Sequence, residues 1–291
     1  MPMNIFISHY YFIQVSILKH RQSPLPVVNY NKREFALRKK QRQRCGMKRD
    51  VNNIPVLLKE LLIQTPINHF IGTLFLKILN RLEVEGRENI KKLPPSNVLF
   101  VSNHQTFYME GIALMIEFNR AKQPFLHWFW KTTTGRCYYL VTIETARIKG
   151  WMNRLIEWAG AVTVTRTWRR GDRSLQLNEV TMESVRNDQV KIVRAIKDGW
   201  VITFPQGTIT PFLKGRKGTA YIIKEAKCIV VPVVIDGFSK AFKEDKLCRP
   251  LKLRSRLTMR FKDPMEINFD AYGCTREAQG LFCNFLMSFL T

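Results

Sequence analysis

Acidic residues are scarce in this sequence, with 23 Asp and Glu against 47 Lys and Arg among 291 residues. The net charge of +24 favours binding to polyanions such as nucleic acid, an anionic membrane face or a phosphorylated substrate. Charge alone does not choose among these partners. Hydrophobic residues make up 45% of the chain and aromatic residues 11%, which excludes a wholly disordered protein and predicts a sizeable core.

Paired cysteines are also missing. The six cysteines are scattered along the chain, with no C-x-x-C pair and no compact His/Cys cluster at the spacing of metal ligands. This pattern predicts free thiols in a reducing compartment and no metal site.

The sequence has no convincing leader and no long uncharged apolar run. Residues 1–18 are uncharged, but they contain Asn, Ser, His and Gln and lack a preceding basic segment, so they make a poor signal peptide. The apolar run between residues 54 and 79 is bounded by charges and interrupted by Pro66, so it is too short to cross a bilayer. Two short amphipathic helices at a membrane interface, or a helical pair packed on the core, both fit it.

Basic residues crowd the region from Tyr30 to Arg49, before periodic structure begins. We expect residues 1–46 to be a flexible basic extension or the product of an upstream start codon, with Met47 beginning the functional chain. Residues 47–83 then form the helical segment at the membrane interface, and residues 84–291 form one α/β domain.

Strand-like and helix-like runs alternate within residues 84–291. Predicted strands cover 97–103, 125–130, 138–142, 161–166, 200–204, 228–235 and about 256–262. Predicted helices cover about 108–119, 151–158, 173–198 and 218–226, and an amphipathic helix ends the chain. The alternation predicts an α/β fold with a mostly parallel central sheet flanked by helices. Because proline cannot donate to a ladder, Pro232 is expected to mark a strand end or a bulge.

Polar residues that are suited to catalysis or to ligand binding follow three of these strands. His104 follows the strand 97–103 and precedes Glu110; a histidine beside a carboxylate can act as a general base, although a lone histidine there is more often a capping or packing residue. Arg166 ends the strand that begins after Gly160 and suits a phosphate or carboxylate, although such an arginine is usually a solvated rim residue. The Pro- and Gly-rich loop 204–220, which precedes a helix, can bind an anion through backbone N–H groups.

Taken in order, these segments resemble the glycerolipid acyltransferase family that includes bacterial 1-acylglycerol-3-phosphate acyltransferases. The family pattern is His, four residues, Asp; then Gly with Arg six positions on; then Phe-Pro-Glu-Gly-Thr; then a Val-Pro-Val strand. Over about residues 84–265, the counterparts here are His104 with Glu110, Gly160 with Arg166, the stretch 204–208 and the stretch 231–233.

The sequence departs from this pattern at two positions. Met109 stands where the family has its aspartate, and the acid arrives one residue later as Glu110. One residue turns a helical side chain by about 100°, so the longer glutamate or an extra loop residue has to restore the contact. Gln206 replaces the family glutamate, which bears on the identity of the acceptor more than on the reaction.

The resemblance implies transfer of a fatty acyl group from an acyl thioester to the hydroxyl of a lyso-glycerolipid or other lyso-lipid, in membrane lipid biosynthesis. It assigns His104 as general base and Glu110 as its partner. It also assigns the head group of the acceptor to residues that hold its negative charge, namely Arg166, Gln206, Gly207, Thr208 and Lys217. No bound cofactor is implied, because acyl-CoA or acyl carrier protein enters as a substrate.

The same resemblance implies a peripheral protein on the cytoplasmic face of the inner membrane, in contact with an anionic membrane surface. Two alternatives stay open. A catalytically degenerate lipid-binding member of the same fold would keep every basic and apolar feature. A basic nucleic-acid-binding protein would account for the charge, but no helix-turn-helix, zinc-finger, RRM or KH signature accompanies it.

The basic extension generates the first prediction. A chain that begins at Met47 should keep full acyl-transfer activity, because the recognisable periodic structure begins after it. The specific activities of the full and shortened chains, measured with circular dichroism as a control for folding, test this. A large loss of specific activity in a shortened chain that still folds would contradict the proposed boundary.

Overall fold

A computed structural model of the chain describes residues 49–59, 72, 74, 76–106, 108–122, 136–142, 154, 156–164, 182–209, 215, 217–243 and 250–267. The helices in this part of the chain are α1 (Val56–Lys59), α2 (Arg87–Lys91), α3 (Met109–Lys122), α4 (Met182–Asp198), α5 (Lys217–Ala226) and α6 (Phe238–Ala241). The strands are β1 (Arg81–Glu85), β2 (Val98–Ser102), β3 (Cys137–Thr142), β4 (Ala161–Val164), β5 (Trp200–Thr203), β6 (Ile229–Asp236), β7 (Arg256–Phe261) and β8 (Met265–Glu266).

One sheet joins all of these strands. Its order is β1-β7-β6-β2-β5-β3-β4, with β8 also paired to β6. Strands β6, β2, β5, β3 and β4 are mutually parallel. Strand β7 runs antiparallel to β6, and β1 runs parallel to β7. The starts of β1 and β7 therefore lie at the edge of the sheet where the parallel strands end.

Helices cover both faces of this sheet. On one face, Phe100 of β2 and Trp200 of β5 pack with Phe118 of α3, with ring centroids 4.2 to 5.2 Å apart. On the other face, Leu99 and Val101 pack in the core that includes α4 and α5. All five residues of β2 are consequently buried, as expected for a central strand of a mostly parallel sheet.

The connections leave the middle of the sheet in opposite directions. From β2 the chain passes through α3, on the first face, towards β3. From neighbouring β5 it passes through α5, on the second face, to β6 on the far side of β2. In α/β sheets, this reversal opens a crevice beyond the carboxyl ends of the two strands.

The predicted fold class is confirmed, and six of the predicted strands match β2 to β7. The strand 125–130, the C-terminal helix and residues 1–46 lie outside the described residues. Sequence analysis missed β1, α2, α6 and β8. Strand β1 carries a recognisable signal in the alternation of Leu82 and Val84 with charged neighbours.

Pro232 does not end its strand, since β6 runs on to Asp236. The break in regular pairing lies in the neighbouring chain segment, between β7 and β8. The N–H group of Lys262 donates to the Pro232 carbonyl at 2.9 Å, and proline cannot return the second bond of that antiparallel pair. The ladder with β7 ends there and resumes as β8 with the register moved by one residue, because Val233 pairs with Phe261 but Val230 pairs with Met265. The extra residue is a bulge.

The described part of the chain also bears on the cysteines and the membrane. Cys137 and Cys228 are buried thiols, and burial raises the pKa of Cys228 to about 12. The other four cysteines lie outside the described residues. No helix within the described ranges is long and apolar enough to cross a membrane.

The junction of α4 and β5 generates a second prediction. A Cβ at Gly199 would overlap the backbone carbonyl oxygen of Arg136, whereas one at Gly218, in the first turn of α5, would meet nothing within 4 Å. Gly199→Ala should therefore lower the free energy of unfolding by about 2 kcal/mol or more. Gly218→Ala should leave it unchanged or raise it by up to about 1 kcal/mol. Urea unfolding measures both, and equal midpoints for Gly199→Ala and the wild type would contradict the packing described.

Candidate active site

His104 lies at the mouth of the crevice, two residues beyond the end of β2. Its imidazole stacks on the ring of Phe204, with centroids 4.4 Å apart and planes inclined by 21°. Phe204 is the first residue after neighbouring β5. Because β2 and β5 pair in parallel, the loop that carries His104 lies beside the loop that carries the Phe-Pro-Gln-Gly-Thr motif.

Glu110 contacts His104 despite the shifted spacing. The Nδ1 atom of His104 lies 2.5 Å from Oε1 of Glu110. The same carboxylate accepts hydrogen bonds from the backbone N–H groups of Gln105 and Thr106, each at 2.9 Å, and from the Thr106 hydroxyl. The side chain of Glu110 is 1% exposed and that of His104 17% exposed, so the acid is enclosed and the imidazole reaches the surface.

These donors determine the charge of Glu110. Burial alone would raise its pKa, but hydrogen bonding and charge interaction with His104, together with bonds from Thr106, lower the pKa below its usual value. An ionised carboxylate only accepts hydrogen bonds, so Nδ1 of His104 carries the proton and donates it. In the neutral ring, Nε2 is then the basic nitrogen.

Met109 has no part in this contact. It is 5% exposed and belongs to the hydrophobic core between the sheet and α3. The hydroxyl of Thr106 accepts a hydrogen bond from the Met109 N–H at 3.2 Å, which caps the start of α3. Position 109 therefore faces the core, and position 110 faces the loop that carries His104.

The loop after β5 is a tight turn. The N–H of Gly207 donates to the Phe204 carbonyl at 2.9 Å, with Pro205 in the position where its fixed φ suits such a turn. Gly207 adopts φ 63°, a left-handed conformation that favours glycine. Gln206 is buried, while Gly207 and Thr208 are half-buried. Three of the predicted binding residues thus lie in the loop that contacts His104.

The other two predicted binding residues are not located. Arg166 lies outside the described residues. Lys217 begins α5, but the position of its side chain is not among those described. No group of three or more His, Cys, Asp and Glu residues that could hold a metal ion occurs in the described part of the chain.

Two residues that sequence analysis missed hold the backbone of His104 on β6. The amide of Asn103 donates to the Ile235 carbonyl at 2.7 Å and accepts from the Ile235 N–H at 2.8 Å, which extends the β2–β6 pairing through a side chain. Gln105 donates to the same carbonyl at 3.1 Å and accepts from the N–H of Phe238, the first residue of α6, at 3.0 Å. Amides on both sides of a histidine were the available signal.

The arrangement provides an oriented imidazole at the surface, with a buried anion behind it. Such a pair can remove a proton from a hydroxyl group and stabilise the imidazolium that results. A catalytic serine is not needed for this chemistry if the substrate itself supplies the nucleophile.

Comparison with known proteins shows the family and the fold of this chain. The sequence model of the family described as Acyltransferase matches residues 81–236, which is more than half of the chain. The crystal structure of the 1-acyl-sn-glycerophosphate (LPA) acyltransferase PlsC from Thermotoga maritima is similar to this chain, with a TM-score of 0.50, 18% identity, and coverage of 98% of this chain and 89% of that one. At that identity the likeness shows a shared fold. No curated protein matches. The family match extends from the start of β1 to the end of β6 and includes both loops of the crevice, and on that ground the chain belongs to the Acyltransferase family.

Proposed function

We propose that this protein transfers a fatty acyl group from an acyl thioester to the hydroxyl of a lyso-glycerolipid or a related lyso-lipid, in membrane lipid biosynthesis. The observation that carries the proposal is the contact of His104 with buried Glu110 at the mouth of the crevice. Acyl-CoA or acyl carrier protein supplies the thioester. The acceptor comes from an anionic membrane surface, with the protein bound peripherally on the cytoplasmic face of the inner membrane.

The reaction follows from the tautomer of His104. Nε2 takes the proton from the acceptor hydroxyl as its oxygen attacks the thioester carbonyl carbon. The C–O bond forms, the C–S bond breaks, and the departing thiolate receives the proton from the imidazolium. Glu110 keeps the ring oriented and stabilises its positive charge, and no acyl-enzyme is required. Positioned proton transfer of this kind contributes about 10² to 10⁴-fold to the rate.

The loop after β5 supports the binding of the acceptor. Phe204 at the start of its turn stacks on His104, Gly207 and Thr208 follow in the same loop, and α5 begins shortly afterwards in the sequence with Lys217. Helix N-termini and loop N–H groups favour phosphate. We assign the head group of the acceptor to Arg166, Gln206, Gly207, Thr208 and Lys217.

The pairing of His104 with Glu110 generates the third prediction. His104→Ala and Glu110→Gln should each reduce kcat by at least about 10²-fold, because the first removes the base and the second removes the charge behind it. Release of free thiol from acyl-CoA in the presence of a lyso-lipid measures the rate. Near wild-type rates in Glu110→Gln and Glu110→Ala would refute the pairing, and inactivity of the wild type with every thioester and lyso-lipid supplied would favour a lipid-binding role.

Moving the acid to the family position tests the same geometry. Met109→Asp combined with Glu110→Ala should not restore activity, because residue 109 faces the apolar core, and it should also lower stability.

The pH dependence of unfolding offers a separate check. Since the folded pKa of Glu110 lies below its ordinary 4.5, its stabilisation is present above that pH and is lost as the pH falls through the folded value. Glu110→Gln should therefore be least destabilising in acid.

The amides beside His104 generate the fourth prediction. Asn103→Ala and Gln105→Ala should lower kcat by roughly ten- to a hundredfold, as misplaced reacting groups do, with little change in KM, because they position His104 without contacting the acceptor. Asn89→Ala is the matched control: it removes a similar 3.1 Å bond from a side chain to the Phe261 carbonyl at the end of β7, outside the loop that carries His104. If Asn89→Ala lowers kcat as much as Asn103→Ala, the effect is one of general stability and the positioning role is wrong.

A further inference from the structure

Four exposed apolar side chains belong to the segments that lead into β1 and β7, which begin at the edge of the sheet where β2 ends. They are Leu74, Ile78, Leu251 and Leu253, which are 44%, 69%, 60% and 52% exposed, and together they form what we name the leucine patch. The N–H of Arg254 donates to the Leu79 carbonyl at 2.6 Å, and that of Arg81 donates to the Ser255 carbonyl at 2.9 Å. These bonds join the segment before β1 to the segment before β7, so the four side chains come from two neighbouring segments.

The leucine patch lies on the same edge of the sheet as His104. Strands β1 and β7 begin at that edge because they run opposite to β2. Three strand spacings separate β1 from β2, or about 14 Å. The short helix α6 links the two places, because Gln105 accepts a hydrogen bond from the N–H of its first residue, Phe238, and the N–H of Leu251 donates to the carbonyl of its last residue, Ala241, at 2.8 Å.

Positive charge surrounds these apolar side chains. Arg81, Lys252 and Arg254 are exposed, and Lys77 is half-buried. Among the described residues, the acids Glu83 and Asp236 are already engaged, because Glu83 pairs with Arg256 at 2.6 Å and Asp236 accepts from Gln105. Arg254 also has φ 56°, a backbone conformation that favours glycine. The chain therefore carries an arginine side chain at a position where the backbone favours a residue without a side chain.

We propose that the leucine patch and its basic border dock the protein on an anionic lipid bilayer, with the crevice at His104 facing the lipid. Exposed apolar groups that enter the interface and cations that meet anionic head groups are the two contributions that hold peripheral proteins on membranes. The patch carries both, beside the site. This inference rests on the proposed function in one respect: the lipid acceptor that the docked crevice would reach is the substrate proposed above.

Cosedimentation of the full chain with vesicles tests the surface. Lys252→Gln/Arg254→Gln should weaken binding to vesicles containing phosphatidylglycerol by on the order of tenfold or more. Leu251→Ser/Leu253→Ser should weaken it as well while leaving its salt dependence in place, because the cations remain. Arg194→Gln/Lys197→Gln removes the same charge from exposed positions on α4 and should leave binding unchanged.

Activity on a short-chain lyso-lipid dispersed below its micellar concentration separates the two proposals. The leucine and cation variants should keep the wild-type rate there and lose rate on vesicle-borne acceptor. Failure of the wild type on dispersed acceptor would count against the proposed function alone. Docking is overturned if the wild type does not bind anionic vesicles, or if both variants bind them as it does. If the variants bind vesicles as the wild type does but lose transfer from acyl carrier protein, the patch binds an acidic protein instead of a bilayer.

Discussion

A carboxylate without access to water must find its hydrogen-bond donors inside the protein, and Glu110 finds them in the loop that carries His104. The imidazole, two backbone N–H groups and the Thr106 hydroxyl all converge on it. Removing the charge would leave several donors without their shared acceptor. The enclosed anion thus shapes the loop and orients the histidine at once, and the start of α3 depends on the same cluster through Thr106.

The sheet brings this cluster to a place where substrates can meet it. Connections that leave β2 and β5 towards opposite faces open the crevice, and the parallel pairing of the two strands places the ring of Phe204 against that of His104. On the other side, Asn103 and Gln105 attach the histidine loop to β6 and α6. The loop is held from three sides, and the side chain of His104 stays 17% exposed.

Much of this could be predicted from the sequence, because apolar alternation reports the buried strands directly. The central strands are apolar on both faces, and their boundaries were found within a residue or two. Strand β1 was missed although Leu82 and Val84 alternate with charged residues, because this short edge strand offers only those two apolar positions. Glu110 was predicted as the partner of His104, but how the shifted spacing restores their contact could not be predicted, since it depends on the length of the loop before the helix. The packing of Met109 in the core decides it. The roles of Asn103 and Gln105 depend on contacts with residues some 130 positions away, which local patterns do not record.

Pro232 has a consequence for the accuracy of folding. A strand of valines and isoleucines could slide along its neighbours by two residues and bury equally well, because its side chains are nearly interchangeable. Sliding would move the proline away from the bulge between β7 and β8 and place its missing donor within a regular stretch of the ladder. The proline and the bulge therefore match in the native register, and a shifted register of β6 is disfavoured. That alignment also brings the Ile235 backbone within hydrogen-bonding distance of the Asn103 side chain, so the register of β6 is a condition for positioning His104.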